Sequence, residues 1–165
     1  MMKNKNFLIG LFLVLVGGGI FWYFRQDEKP EPSPLLERIG VTQEEEAFLE
    51  SQVGLEIPDD VEKTKLTDVD GEEAVGLATR DYEDGQFEHT VIASLPETAE
   101  TEFYQGWLVD EEGEMVATEK LEEVKGGWVL SYTTDEDKTD CDRVVVTREA
   151  EDDNEPEEVV LEGQF

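Results

Sequence analysis

The chain has 165 residues, of which 43 are Asp or Glu and 13 are Lys or Arg, so its formal net charge is −30. This length allows one domain plus accessory segments, and the charge argues against a nucleic-acid partner, because that binding depends on Lys and Arg displacing counterions from phosphates. A single cysteine, Cys141, and a single histidine, His89, exclude an intrachain disulfide and argue against zinc sites and the usual Cys/His or Ser/His/Asp catalytic groups.

The first predicted element is a membrane-spanning helix. Residues 7–24 (FLIGLFLVLVGGGIFWYF) contain no charged side chain, and as a helix they extend about 27 Å, close to the thickness of the bilayer hydrocarbon. Trp22 and Tyr23 lie at its end, where aromatic rings favour the headgroup region, and Arg25 follows. The sequence therefore predicts a single-pass anchor in contact with membrane lipid. A cleaved secretory signal is the alternative, although no small-residue cleavage site precedes Gln26.

The orientation of this anchor is predicted from where the folded mass lies. Residues 1–6 form a short tail, and all other predicted elements follow residue 24. The positive charges on the two sides of the anchor do not differ enough to decide between the orientations. We expect a cytoplasmic N-terminus and an extracytoplasmic C-terminal domain in the cell membrane.

A spacer and a short helix are predicted next. Residues 25–40 include three prolines and mixed charges, which oppose regular structure and indicate a Pro-rich acidic linker. A short amphipathic helix is predicted over residues 41–54, because Thr42 and Glu45 form a capping box and Gly54 is typical of a helix end. Its narrow apolar face consists of Phe48, Leu49 and Val53.

Residues 73–165, which follow a connecting segment of residues 55–72, are predicted to form an antiparallel β-sandwich of about seven strands. Short runs of alternating apolar residues between Gly- and Asp-containing turns are typical of strands. In the clearest run Phe87, Val91 and Ala93 share one face. The predicted strands are residues 74–80, 86–94, 103–109, 115–119, 128–133, 143–148 and 159–162, and their tryptophans, Trp107 and Trp128, are predicted core residues.

Three of these strands carry distinctive segments, namely FYQGWLV (103–109), VVVTRE (144–149) and PEEVVLEG (156–163). In this order they resemble the extracytoplasmic C-terminal domain of RskA-type anti-sigma factors, over roughly the last 95 residues of the chain. Members of that family have a Tyr-x-x-Trp-Leu strand, a late Val-Thr-x-Glu strand and a closing apolar strand that ends in Gly. The resemblance implies a β-sandwich held outside the cytoplasm by one membrane span.

The chain also departs from that family. Residues 150–154 (AEDDN) stand where the family has a Gly-Gly-Ser turn, and residues 1–6 offer no counterpart of its cytoplasmic zinc-binding anti-sigma domain. Sigma-factor binding is therefore not carried over to this chain.

Three acid-rich stretches are candidate cation sites. Residues 68–73 (DVDGEE) place carboxylates beside a glycine turn and offer the oxygen ligands that calcium prefers, but they lack the twelve-residue EF-hand spacing. Residues 135–142, with Asp135, Glu136, Asp137, Asp140 and Asp142, and residues 151–153 are similar. We predict solvated turns and assign no metal or cofactor; weak calcium binding is the alternative.

The sequence contains few other candidates for catalytic or reactive residues. His89 lies within the alternation of residues 86–94 and is predicted to be a partly buried strand residue rather than a base. Cys141 lies in a charged loop and is predicted to have no function, with oxidation or cross-linking of two chains as the alternative. Paired carboxylates can hydrolyse glycosides when burial raises one pKa, but no pair is marked as buried, so we predict no catalytic residue.

The sequence as a whole predicts a membrane-anchored, non-enzymatic extracytoplasmic module that binds an unidentified protein partner or assists an envelope sensor. An acidic surface module that depends on calcium or on salt is the alternative, because cations screen the repulsion between its carboxylates. A carboxylate-dependent hydrolase is the least favoured alternative.

Overall fold

The computed structural model describes residues 40–69 and 74–165. The predicted tail and anchor, and the linker up to residue 39, lie outside the described residues. Within the described ranges there is no helix that is both long and apolar enough to cross a membrane.

The first element in the described ranges is a helix, α1 (Gln43–Val53). The predicted capping box is confirmed: the Thr42 hydroxyl accepts a hydrogen bond from Glu45 N, and the Glu45 carboxylate accepts one from Thr42 N. Gly54 ends the helix with φ +69°, a left-handed conformation that glycine adopts without steric cost. Of the predicted apolar face, Leu49 and Val53 are buried, whereas Phe48 is 48% exposed.

Nine strands follow the helix, and all their pairings are antiparallel. They are β1 (Glu62–Asp68), β2 (Val75–Glu83), β3 (Gln86–Ser94), β4 (Phe103–Val109), β5 (Met115–Lys120), β6 (Glu122–Val124), β7 (Gly127–Thr134), β8 (Arg143–Glu149) and β9 (Glu158–Gln164).

The mainly β, antiparallel fold is thus confirmed, but its predicted form as a seven-stranded sandwich is wrong. The nine strands make one sheet in the order β5-β4-β8-β9-β1-β2-β3-β7-β6, and this sheet curls until it is nearly barrel-shaped. Alternation along a strand reports which residues face the interior, and it does so equally for a sandwich and for a curled sheet. The sequence pattern therefore could not distinguish the two architectures.

Two strands were missed, and both are poor in apolar residues. β1 (EKTKLTD) lies in the predicted connecting segment and has only Leu66 as an apolar residue. Its outward residues Lys63 and Lys65 form ion pairs with α1, so hydrophobic alternation could not reveal it. β6 has three residues, too few for any period to be detected.

The interior of the curled sheet contains the main hydrophobic core. The predicted face of residues 86–94 and the predicted core residue Trp128 both belong to it. Tyr104 and Trp128 pack edge to face with ring centroids 4.9 Å apart, and the Trp128 indole donates to Leu95 O at 3.2 Å. The buried members of this core are Leu66, Ala78, Phe87, Val91, Ala93, Tyr104, Leu108, Leu121, Trp128, Leu130, Cys141, Val144, Val146, Val160 and Leu161.

The helix α1 packs on the outer face of β2 and β3. An apolar cluster fills this contact, and its buried members are Val41, Leu49, Val53, Ile57, Leu77 and Ile92. Beside it the Lys63 ammonium lies 2.6 Å from the Glu46 carboxylate, with side-chain exposures of 2% and 12%. Lys65 and Glu45 form a second pair at 2.6 Å that is more exposed, at 27% and 36%.

The Glu46→Gln variant is expected to lose about 3–5 kcal/mol of unfolding free energy, because it leaves the Lys63 charge buried without its partner. Glu45→Gln is the matched control, since it breaks an exposed pair and keeps a residue suited to the capping box, and it should lose less than about 1 kcal/mol. Urea unfolding measures both losses. Equal losses in the two variants would show that the burial of the Lys63–Glu46 pair has no effect on the free energy of unfolding.

Candidate functional site

The sheet closes through a segment that changes its pairing partner at one residue. β5 pairs with β4. After a single intervening residue, Leu121, the chain continues as β6, which pairs with β7. Between them Leu121 points into the core with 5% exposure, and its N–H donates to Tyr104 O at 2.9 Å. Residues 115–124 therefore behave as one bent strand that joins the two ends of the sheet.

This change of partner leaves two strand edges open beside each other. Among the described residues, β5 has a ladder partner only on the β4 side. β6 reaches only to Val129 of β7, so residues 130–134 of β7 are paired only with β3. Some Cα atoms of β5 and β7 lie within 8 Å of each other, so the two edges converge toward Leu121. We call the space between these edges the seam.

A surface groove of about 240 Å³ lies at the converging end of the seam. Ser131 on β7 is exposed, and the Glu119, Lys120 and Glu122 side chains at the turn of the bent strand are also exposed. The Thr118 hydroxyl on β5 is buried, and no hydrogen-bond partner is found for it. Open backbone groups next to a shallow groove can accept an extended peptide as an additional strand. The groove is lined by Glu119, Lys120, Glu122, Val124, Val129 and Ser131.

The sequence did not predict this seam. The residues from 115 to 119 were recognised as a strand, but Leu121 breaks their alternation and β6 is too short to detect. The useful signal is that the strand-like residues before and after Leu121 have no turn residue between them, since Lys120, Leu121 and Glu122 contain neither Gly, Pro, Asn nor Asp.

Carboxylates of the predicted acid-rich stretches accept hydrogen bonds from other groups of the protein. The Asp68 carboxylate accepts a hydrogen bond from Ala74 N at 3.1 Å, and residues 70–73 of that stretch lie outside the described residues. The Asp137 carboxylate accepts from the Thr139 hydroxyl at 2.7 Å, and Asp142 accepts from the Gln164 amide at 3.0 Å. In the part of the chain that the structure describes, no three His, Cys, Asp or Glu side chains converge on one metal position.

A further group of acids surrounds the β2–β3 hairpin. The predicted turn is present, with Asp84 at φ +54° and Gly85 at φ +84°, as a two-residue hairpin requires. Asp81, Glu83, Asp84, Glu88 and Asp135 line a wide depression there. No ion pair is found among the described residues for these five carboxylates, so the hairpin is a strongly negative end of the domain.

His89 lies on β3 and faces the interior, with 1% exposure, so it is more buried than predicted. Its Nδ1 is 2.7 Å from Thr79 O, and because a carbonyl can only accept, Nδ1 carries the proton. Nε2 is buried, and no hydrogen-bond partner is found for it. Burial lowers the pKa of His89 to about 4, which keeps the ring neutral at neutral pH.

Cys141 lies in the predicted loop but is buried, with 3% exposure, and it belongs to the main core. Burial, and then the neighbouring Asp140 charge, raises the pKa of its thiol. The thiolate is the reactive form of cysteine. The structure therefore argues against the alternative in which Cys141 oxidises or cross-links two chains.

Comparison with protein-family models, with curated proteins and with solved structures finds no match for this chain.

The low pKa of His89 gives a pH dependence with a definite sign. Between about pH 6.5 and pH 4 the His89 side chain binds a proton in the unfolded state but not in the folded state. The contribution of His89 to the free energy of unfolding is therefore fully present above this range and decreases as the pH falls through it. The loss from this residue should approach about 1.4 kcal/mol per pH unit. Urea titrations at pH 7, 6 and 5, compared with His89→Gln, measure it. Parallel curves for the two proteins would contradict the assignment.

Proposed function

We propose that this protein is a membrane-anchored, non-enzymatic module whose β domain binds a protein partner outside the cytoplasm. The observation that carries the proposal is the seam, where the β5 edge and residues 130–134 of β7 offer backbone donors and acceptors. Natural sheets usually protect such edges, because an open edge is a template for another strand. Two neighbouring open edges in one small domain favour recognition of an extended segment.

The charge of the chain limits the chemistry of the partner. Glu119 and Glu122 line the groove at the seam beside Lys120, and the whole chain has a net charge of −30. A field of this sign speeds the association of positively charged partners and disfavours negatively charged ones. We infer that the partner presents an extended, basic segment.

The place of the module in the cell is inferred from the sequence. Residues 7–24 are long and apolar enough to anchor the chain, and the Pro-rich residues 25–40 would hold the β domain away from the bilayer. The resemblance to the extracytoplasmic domain of RskA-type anti-sigma factors supports the same orientation. A role as accessory to an envelope sensor follows from that resemblance.

The topology is tested by adding protease to intact cells. We expect the β domain to be digested while a cytoplasmic control protein is protected, and we expect the purified protein to retain residues 7–24 by mass spectrometry. A mature chain that begins beyond Phe24, or a β domain that is digested only after lysis, would overturn the anchor or its orientation.

Partner binding at the seam is tested with a photo-crosslinking amino acid at the exposed Ser131 and, as a control, at the exposed Thr67 on β1, which is paired with β2 and β9. We expect one specific adduct from position 131 and none from position 67. Adding Thr133→Lys, which places a lysine on the open edge and repels a basic segment, should reduce the adduct at least about fivefold. Thr101→Lys on an exposed loop should leave it unchanged. Equal adducts from both positions would contradict binding at the seam.

A further inference from the structure

A small pocket lies on the outer face of β4 and β8, beside the loop that joins β8 to β9. On this face Trp107, Val109 and Val145 form a small buried cluster, and the Trp107 indole donates to the Thr147 hydroxyl at 2.7 Å. The pocket adjoins this cluster. Its walls are the strand residues Phe103, Gln105, Trp107 and Glu149 and the loop residues Glu151, Asp152, Asp153, Asn154 and Glu155.

The carboxylate of Glu149 is the unusual group in this pocket. Its side chain is on β8 with 2% exposure, and its Oε1 accepts a hydrogen bond from Glu157 N at 3.2 Å. Its Oε2 is buried, and no hydrogen-bond partner is found for it. A buried carboxylate oxygen without a partner is destabilising, and a bound cation removes this penalty. The surrounding acidic loop side chains increase the attraction for positive charge.

An ammonium group of the protein itself, that of Lys120, is bound on the rim of the same pocket. The Lys120 ammonium lies 3.8 Å from the centre of the Phe103 ring and 2.8 Å from the Asp152 carboxylate. An aromatic face and a carboxylate thus hold one lysine and attach the loop to β5. Glu149 and Trp107 repeat this combination of carboxylate and aromatic ring inside the pocket.

The size of the pocket selects among cations. The pocket has a free volume of about 10 Å³, which is room for about one water-sized group. A primary ammonium group is of this size, whereas a guanidinium or a quaternary ammonium is larger. A metal ion is less suitable, because among the described residues no three acidic, His or Cys side chains converge on one point.

We propose that this pocket binds the primary ammonium group of a lysine side chain, with Glu149 as its counterion. The source that we infer is the basic partner of the proposed function, and only this source rests on that function. The ammonium chemistry depends on Glu149 and Trp107 alone and can be tested without the partner.

The test uses the full-length protein labelled with ¹⁵N, and the indole N–H resonance of Trp107, identified with Trp107→Phe, is the reporter. Methylammonium chloride, which has the head group of lysine, is titrated at constant ionic strength against tetramethylammonium, sodium and potassium chloride. We expect a saturable shift with methylammonium only. Glu149→Gln should weaken this binding at least about tenfold, because it removes the charged acceptor. Glu97→Gln, which removes an exposed charge elsewhere, should change it less than about twofold.

Two outcomes of the titration would overturn the proposal. The same shift with sodium or potassium would show a site for small monovalent ions and would overturn the assignment to lysine. An absent shift in the wild-type protein would leave water as the occupant and would also overturn it. Because the wild-type titration needs no variant, a misfolded Glu149→Gln protein cannot obscure the result. Loss of the Ser131 adduct with methylammonium binding retained would refute only the proposed function.

Discussion

The change of partner at Leu121 is the constraint on which the architecture depends. A sheet of nine strands has two edges, and here one bent strand belongs to both, because β5 ends the order at one side and β6 ends it at the other. The buried Leu121 side chain and its hydrogen bond to Tyr104 O fix the position of the bend. Curling then brings the interior faces of the strands together into one core. This closure leaves the seam unpaired, because a bent strand cannot pair along its full length with both of its neighbours.

Close packing inside the curled sheet also depends on residues without side chains. A Cβ on Gly106 of β4 would overlap Leu130 and would lie 2.8 Å from the Thr118 hydroxyl of β5. A Cβ on Gly163 of β9 would overlap the backbone carbonyl of Lys65 on β1. These glycines allow a close approach of neighbouring chain segments that a side chain would prevent. The sequence pattern placed Gly106 in a strand, whereas the last predicted strand ended at residue 162, before Gly163. The role of both glycines depends on distant parts of the chain and could not be predicted.

The sequence predicted the elements that are stabilised by contacts between residues close together along the chain. The capping box of α1 and the alternation of residues 86–94 were recognised because each uses contacts within a few residues along the chain. β1 was missed because Lys63 and Lys65 are stabilised by Glu46 and Glu45, and such pairing leaves no hydrophobic period. The pocket at Glu149 was not predicted for a different reason. Its loop residues 151–153 were recognised as acidic, but the burial of Glu149 depends on β4 and on the fold of the loop.

The two ion pairs between α1 and β1 also determine how the domain would respond to mechanical load. Glu45 and Glu46 lie in the first turn of the helix, close to the point where the chain enters the described domain. Tension applied from the N-terminal side therefore reaches these pairs before it reaches any backbone ladder of the sheet. Peeling of α1 would separate two lysine–glutamate contacts and uncover Leu77 and Ile92 on the outer face of the sheet. Detachment of α1 would lengthen the chain between the point of tension and β1 while the backbone ladders of the sheet stay intact.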